Sequence, residues 1–372
     1  MARSAEGSGW AIDPDTLNPT VLDRARVTAG LAEAGPVDRL LLLGVLGRID
    51  EALQEAGRLL ADPGIAADPW WVLLLTADLH RWHRDLARAE DYQLRAWPHA
   101  LSRDRQATTL QHVGQRWYDG ADLHRAATHF ELALTMRRGF ADPASIAGSE
   151  QALAAVRGKL GLDAIVLAGG RGVRLGGQEL GAKALIPLAG WPLADHVLLA
   201  ASGASTRVQV GPRRTALGSP VFCTEQPAGS GPVAAIAAAL PLVRQPMVAV
   251  LAGDLPFIGD ALGQLSQCVA VGGRDVGLLV DTTGRSNYLA AVWRTAALRA
   301  AVARLGTPAG LPVRALYQDV DIGHVPDFDA CSADIDTPAD RRVAEQRISS
   351  RSPGRLPASP LAWPRLELHA PS

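Results

Sequence analysis

The chain has 372 residues, of which 48% are apolar and 20% charged, and its formal net charge is −1. That length favours two domains over one. The near-zero charge excludes a global electrostatic pull toward nucleic acid or a membrane surface, although local cationic loops remain possible. Residues 1–20 begin MARSAEGSGWAID, without the apolar run of a signal peptide, and are expected to be disordered. Between 21 and about 160, Leu, Ala and Arg dominate and apolar positions recur at intervals of three and four, which predicts a wholly helical half. Within it GRIDEALQEAGRLL, DLARAEDYQLRAW and DLHRAATHFELAL align on Ala52, Ala89 and Ala126, with 37 residues between successive copies. A period of that size with paired helices predicts a solenoid. GSEQALAAVRGKL (148–160) would be the helix that caps the array.

From Asp163 the texture changes. Short β-branched or apolar runs predict strands at 165–168, 207–210, 221–223, 247–252, 276–280 and 288–293. Ala-rich stretches near 192–203, 232–243, 259–271 and 295–304 predict helices between them. Strands alternating with helices imply an α/β, doubly wound, mainly parallel sheet. Residues 347–372, rich in Pro and Ser, are expected to be disordered. Cys223, Cys268 and Cys331 lie far apart, which argues against a disulfide framework or a zinc site and fits a reducing cytoplasm. The longest apolar runs, such as 40–45, are far too short to span a bilayer.

The first strand runs into LAGGRGVRLGGQELGAK (167–183), a glycine-dense loop carrying Arg171, Arg174 and Lys183. Backbone amides can face phosphate oxygens closely only where side chains are absent, so such a loop suits a nucleotide tail. Two lookalikes fail on particular residues. A dinucleotide fingerprint needs a third glycine where Leu175 stands, and an acid at the end of the second strand, RVQVG. A P-loop needs Lys and Ser or Thr after Gly181, where Ala182 and Lys183 stand.

The loop resembles that of the MobA-like nucleotidyltransferases, whose pattern is close to LAGG-x-x-x-R-M-G-x-D-K and whose best-known members are molybdenum cofactor guanylyltransferases. Here it reads Leu167, Ala168, Gly169, Gly170, Arg174, Leu175, Gly176 and Lys183, with Gly172 also in the loop. Further segments follow in the family's order through residue 346. In CTEQPAGSGPVAAI (223–236), Glu225 holds the place of a nucleotide-contacting acid, and Gly231 and Pro232 open a helix. In VAVLAGDLPFIG, Asp254 lies just past a buried strand, where a lone carboxylate suits Mg²⁺. RSNYLAAVW resembles the strand facing the acceptor and nominates Asn287. SADIDTPAD resembles the closing motif N-x-N-T-P and nominates Asp336 as a second metal ligand, with Asp334 ranked below it. Thr337-x-x-Asp340 with Pro338 is also a helix N-terminus signature in its own right.

The resemblance implies a three-layer α/β sandwich of the nucleotide-diphospho-sugar transferase type over 161–346. It implies Mg²⁺-dependent transfer of a nucleoside monophosphate from a nucleoside triphosphate to a phosphorylated small-molecule acceptor. GTP and molybdopterin are the family default, and CTP or another acceptor stays open. Arg174, Lys183 and Asp254 would be the catalytic residues. Residues 21–160 resemble a short, degenerate tetratricopeptide array in which Gly114, Trp117, Ala126, Phe130 and Ala133 occupy the small and aromatic positions. Such an array suits a protein partner, so a non-catalytic nucleotide sensor or docking module is the competing reading. A sugar-1-phosphate nucleotidyltransferase shares the loop but usually runs longer. The sequence departs from the family at Ala182, where Asp is usual, in a loop about three residues longer before Lys183, and in Asp rather than Asn in the closing motif.

Overall fold

The computed structural model describes residues 8–171 and 179–350. The helical half contains α1 (Arg24–Glu33), α2 (Pro36–Val45), α3 (Ile49–Ala61), the short α4 (Pro63–Ala66), α5 (Trp70–Trp82), α6 (Leu86–Ala96), α7 (Arg103–Asp119), α8 (Leu123–Arg137) and α9 (Pro143–Leu160). The predicted 37-residue period appears as one turn built three times. Gly47, Arg84 and Ala121 take left-handed φ of 76°, 65° and 62°. The next amide, of Arg48, Asp85 or Asp122, donates back to Leu43, His80 or Trp117 at 2.9–3.0 Å. One turn further on, Ala52, Ala89 and Ala126 are fully buried where the paired helices meet. In the third hairpin the approach is close: a Cβ on Gly114 would lie 2.5 Å from the Phe130 ring. The capping helix α9 begins five residues before the predicted start because Asp142 caps it, accepting from Ala144 and Ser145, and Pro143 occupies its first position.

Residues 8–20 correct the expectation of a disordered N-terminus. Strands β1 (Trp10–Ile12) and β2 (Pro19–Val21) pair antiparallel. Trp10 and Leu17 are buried, and their contacts with the helices supply the order that a polar composition conceals. At the other end, residues 347–350 belong to a helix rather than a tail, and 351–372 lie outside the described residues.

The second half begins one residue after α9. It contains β3 (Leu162–Leu167), β4 (Pro187–Leu188), β5 (Trp191–Pro192), α10 (Leu193–Ala200), β6 (Arg207–Val210), β7 (Val221–Cys223), α11 (Pro232–Ala239), β8 (Met247–Ala252), α12 (Leu262–Ala270), β9 (Val276–Asp281), β10 (Ser286–Arg294), α13 (Thr295–Leu305), β11 (Ile322–Asp327) and α14 (Pro338–Ser350). The main sheet has the order β11-β9-β10-β8-β3-β6-β7, parallel except at β10, which runs antiparallel to β8 and β9. Alternation sends Ala164, Val166, Ala249 and Leu251 toward α10 and α12, and Ile165, Val248 and Val250 toward α11 and α13. The result is the expected three-layer sandwich. Asp163 is fully buried at the start of β3, and its carboxylate accepts from the amides of Thr206, Arg244 and Gln245 at 2.6–2.9 Å.

The two halves share a continuous interface. Every residue of α10 is buried. Val197 and Leu198 face the sheet, and Leu199 packs with Leu110, Leu132 and Ala133 of α7 and α8. Around it, Glu131 of α8 pairs with Arg207 at 3.2 Å and Arg157 at 3.1 Å, and His124 shares a hydrogen bond with Ser266 at 3.1 Å. Burial pushes His124, His129 and His196 down to about 4. The unfolded chain, with histidines near 6.5, takes up these protons first as pH falls. Stability should therefore drop between pH about 6.5 and about 4, by about 1.4 kcal/mol per pH unit for each such group. Thermal unfolding followed from pH 7.5 to 5 checks this, because that range precedes most carboxylate titration. A midpoint that stays level across it contradicts the assignment.

Candidate active site

A cavity of about 450 Å³ opens at the carboxyl ends of β3, β6 and β8, where ligands of open α/β sheets sit. Its floor is the segment leaving β3. Leu167, Ala168, Gly169 and Gly170 line it, and the carbonyls of Gly169 and Gly170 accept from the amides of Gly181 and Lys183 at 3.3 and 3.2 Å. This folds the far end of the glycine loop back over β3. A small residue is needed where the chain leaves β8: a Cβ on Gly253 would stand 2.9 Å from the Leu167 carbonyl, whose oxygen accepts the Gly253 amide. Gly172 and Arg174 lie outside the described residues.

Lys183 sits on the 3₁₀ turn Ala182–Leu185 and reaches across the mouth of the cavity. Its ammonium donates to Asp254 Oδ2 and to Asp336 Oδ1. Burial alone would lower its pKa, but the charges and hydrogen bonds of Asp254 and then Asp336 outweigh this and raise it. Asp254 follows β8 and also lines the cavity. Asp336 is set by the start of α14: Thr337 and Asp340 exchange hydrogen bonds at 2.7–3.2 Å, and the same Asp340 carboxylate accepts the Asp336 amide at 3.1 Å. The capping signature and the candidate ligand are thus one local device. One oxygen each from Asp254, Asp334 and Asp336 lie within 4.8 Å of one another. Burial, and then the charges of Asp336 and Asp254, raise the Asp334 carboxyl above its ordinary value. Three hard oxygen donors at one point beside the cavity fit a divalent cation of the magnesium type.

The far wall comes from 225–235. Glu225 is buried and accepts the Gly229 amide at 2.8 Å, while Gly231 at φ +95° turns the chain into α11 with Pro232 at its first position. Glu225, Gly231 and Pro232 all line the cavity.

Residues 164–322 match the family model of the MobA-like NTP transferase domain. Relatives of the chain include the molybdenum cofactor guanylyltransferases of Cupriavidus necator, 31% identical over 129 residues, and Ralstonia nicotianae, 32% identical over 131 residues. Each match covers 32% of this chain and 63% of the relative, so the chain spans under two thirds of the length of these curated relatives. Among solved structures, 2-C-methyl-D-erythritol 4-phosphate cytidylyltransferase from Thermus thermophilus is similar at 21% identity and a TM-score of 0.38, over 49% of this chain and 96% of that one.

The residues that the sequence nominated for the nucleotide meet in one cavity wherever they are described. Asn287 does not join them. Its amide nitrogen donates to the Ser332 carbonyl at 3.1 Å and its oxygen accepts the Leu289 amide at 3.1 Å, pinning the irregular start of β10 to the segment before α14. The neighbouring Leu289 lines the cavity instead. Arg171 and an apolar wall of Leu180, Val210 and Ala235 also line it, although no motif nominated them. Arg171 was visible as a cation in the glycine loop, but the wall comes from separated segments with no shared pattern.

Proposed function

We propose that the MobA-like domain is a Mg²⁺-dependent nucleotidyltransferase that moves a nucleoside monophosphate from a triphosphate, GTP in the first place, to a phosphorylated acceptor of the molybdopterin kind. One observation carries this reading: Lys183, Asp254 and Asp336, from three distant segments, converge at the mouth of a cavity floored by Gly169 and Gly170. In the proposed step an acceptor phosphate oxygen bonds to the α-phosphorus. The bond from that phosphorus to the bridging oxygen breaks, and pyrophosphate leaves with the electron pair. No protein nucleophile is required, because positioning and electrostatics carry phosphoryl chemistry. The glycine amides cradle the triphosphate, and Lys183 with Arg174 offsets the charge that builds on the leaving group. Asp254 and Asp336 would hold Mg²⁺, with Asp334 beside them. The ion supplies Lewis-acid charge at the phosphoryl oxygens.

Each of the four common triphosphates, and CTP against GTP in particular, can be tested with Mg²⁺ by thermal shift and calorimetry. A ligand present at one hundred times its dissociation constant stabilises by about 2.7 kcal/mol. GTP is expected to give the largest shift, and pyrophosphate release should then need a phosphorylated acceptor. Absence of binding by any triphosphate in Mg²⁺ sinks the proposal. The second reading, a nucleotide-sensing module that docks a partner through tetratricopeptide-like repeats, draws on Ala182 standing where the family pattern has Asp. It predicts nucleotide binding without pyrophosphate release under any acceptor.

A further inference from the structure

The cavity at the carboxyl ends of β3, β6 and β8 is chemically divided. Gly169, Gly170, Lys183 and Asp254 give one part of it bare backbone and charge. Leu167, Val210, Ala235 and Leu289 give the other an apolar surface, and all four belong to the cluster on the α11 side of the sheet. In a nucleoside triphosphate the base carries the broad apolar face, so on the proposed reading it belongs against that surface. Leu180 lines the same cavity. It is half-buried, yet it packs in neither apolar layer of the sheet.

The backbone fixes where Leu180 stands. The next residue, Gly181, donates its amide to the Gly169 carbonyl at 3.3 Å and has φ +83°, and a Cβ there would lie 2.9 Å from the Pro212 ring. The Ala182 amide closes the turn on the Glu179 carbonyl at 3.2 Å. From this turn Leu180 reaches the far wall. A Cβ on Gly229 would stand 3.8 and 3.9 Å from its two methyls, and beyond the chain neighbours nothing else among the described residues comes within 4 Å of that point. Gly229 is held separately, its amide donating to Glu225 at 2.8 Å, and its φ of +80° suits glycine. Bare backbone on one side thus leaves the Leu180 side chain as the apolar surface where the two walls meet. Leu180 also falls in the extra length between Gly176 and Lys183 that the family pattern lacks, so no motif position corresponds to it.

We propose that Leu180 is a specificity-determining residue of the nucleotide site, whose side chain covers the base of the triphosphate against the apolar surface of Val210, Ala235 and Leu289. This role rests on the nucleotidyltransferase reading of the cavity. A purine offers more apolar area than a pyrimidine, so the contact favours purine triphosphates. The phosphates, held at Lys183 and the glycine floor, gain nothing from it.

Calorimetry on the full chain in Mg²⁺ tests it, comparing the parent with Leu180→Ala. The probes are the four common triphosphates and inorganic tripolyphosphate, which carries the charge without a base. Leu180→Ala should weaken the best purine triphosphate at least about tenfold, the scale of a lost aliphatic contact in an apolar pocket. Pyrimidine triphosphates should lose less, and tripolyphosphate should bind both proteins alike. Leu180→Met, which keeps the apolar volume, should retain most of the purine affinity. Equal affinity of parent and Leu180→Ala for every triphosphate, or a parallel loss for tripolyphosphate, overturns the role of Leu180 and leaves the nucleotide reading standing. A parent that binds no triphosphate is a different result, which sinks both.

Discussion

Asp254→Ala should abolish pyrophosphate release, with a loss of about a thousandfold or more, while leaving the unfolding midpoint almost unchanged. Asp254 lies past the end of β8, with its side chain at the cavity mouth rather than in either apolar layer. Its removal deletes one of three converging carboxylates and one partner of Lys183, but Asp336 still accepts from the ammonium. The fold therefore keeps its contacts, and the site loses the better buried of the two carboxylates proposed to hold the cation. A divalent ion provides several kcal/mol of charge stabilisation in phosphoryl chemistry, and about 4 kcal/mol corresponds to that thousandfold loss. Steady-state assays at rising Mg²⁺, paired with thermal unfolding, check both halves of the expectation. Asp254→Ala with near-parental turnover would remove Asp254 from the metal site. Lys183→Met gives the complementary result: affinity for the triphosphate should fall while the carboxylate trio remains.

Glu131→Ala should produce the largest loss of stability, about 3–5 kcal/mol, through an unpaired buried charge. Glu131 is 2% exposed on α8 and pairs with both Arg207 of β6 and Arg157 of α9. Arg207 also donates to the carbonyls of Leu198 and Gly218, so it cannot withdraw to solvent without dismantling the segment that follows β6. Arg157 is already held below its ordinary value by burial, then by the charge of Arg207. Without Glu131 these two cations face each other across the boundary between the halves. Urea unfolding should show the loss, and Glu131→Gln, which keeps a hydrogen-bond acceptor, should recover part of it. An Ala variant within about 0.5 kcal/mol of the parent, the usual range of a surface change, would show that the triad contributes no net stability.

Strand periodicity and turn chemistry made most of the sandwich legible. RVQV, VFC and MVAVLA form strands at the predicted residues because their flanks are rich in Gly, Pro and Ser and their interiors carry no competing helical period. The strand β11 escaped notice: IGHVPD alternates weakly and contains Pro326, which the sheet tolerates there because β11 lies at its edge. The direction of β10 was equally invisible, since a pattern of two specifies a pleat and not a polarity. At the site, residues tied to a motif were found, and residues that line the cavity through tertiary placement alone, such as Val210 and Leu289, were not. Asn287 has a structural role that its motif did not announce. Its family position points to an acceptor, and in the structure its amide also bonds Ser332 and Leu289 locally. The order of residues 8–20 rests on two apolar anchors among polar neighbours, too sparse for any periodic signal.

Helix α10 belongs to both halves at once, with Val197 and Leu198 in the sheet's core and Leu199 in that of the array. The chain can be divided on paper between Gly161 and Leu162, but its apolar interior cannot. Excising the α/β half would strip one side of a largely apolar, fully buried helix and present it to solvent, inviting self-association. Any recombination that grafts this segment elsewhere must bring a replacement cover for that helix, so the two parts are expected to be inherited, expressed and purified as a unit.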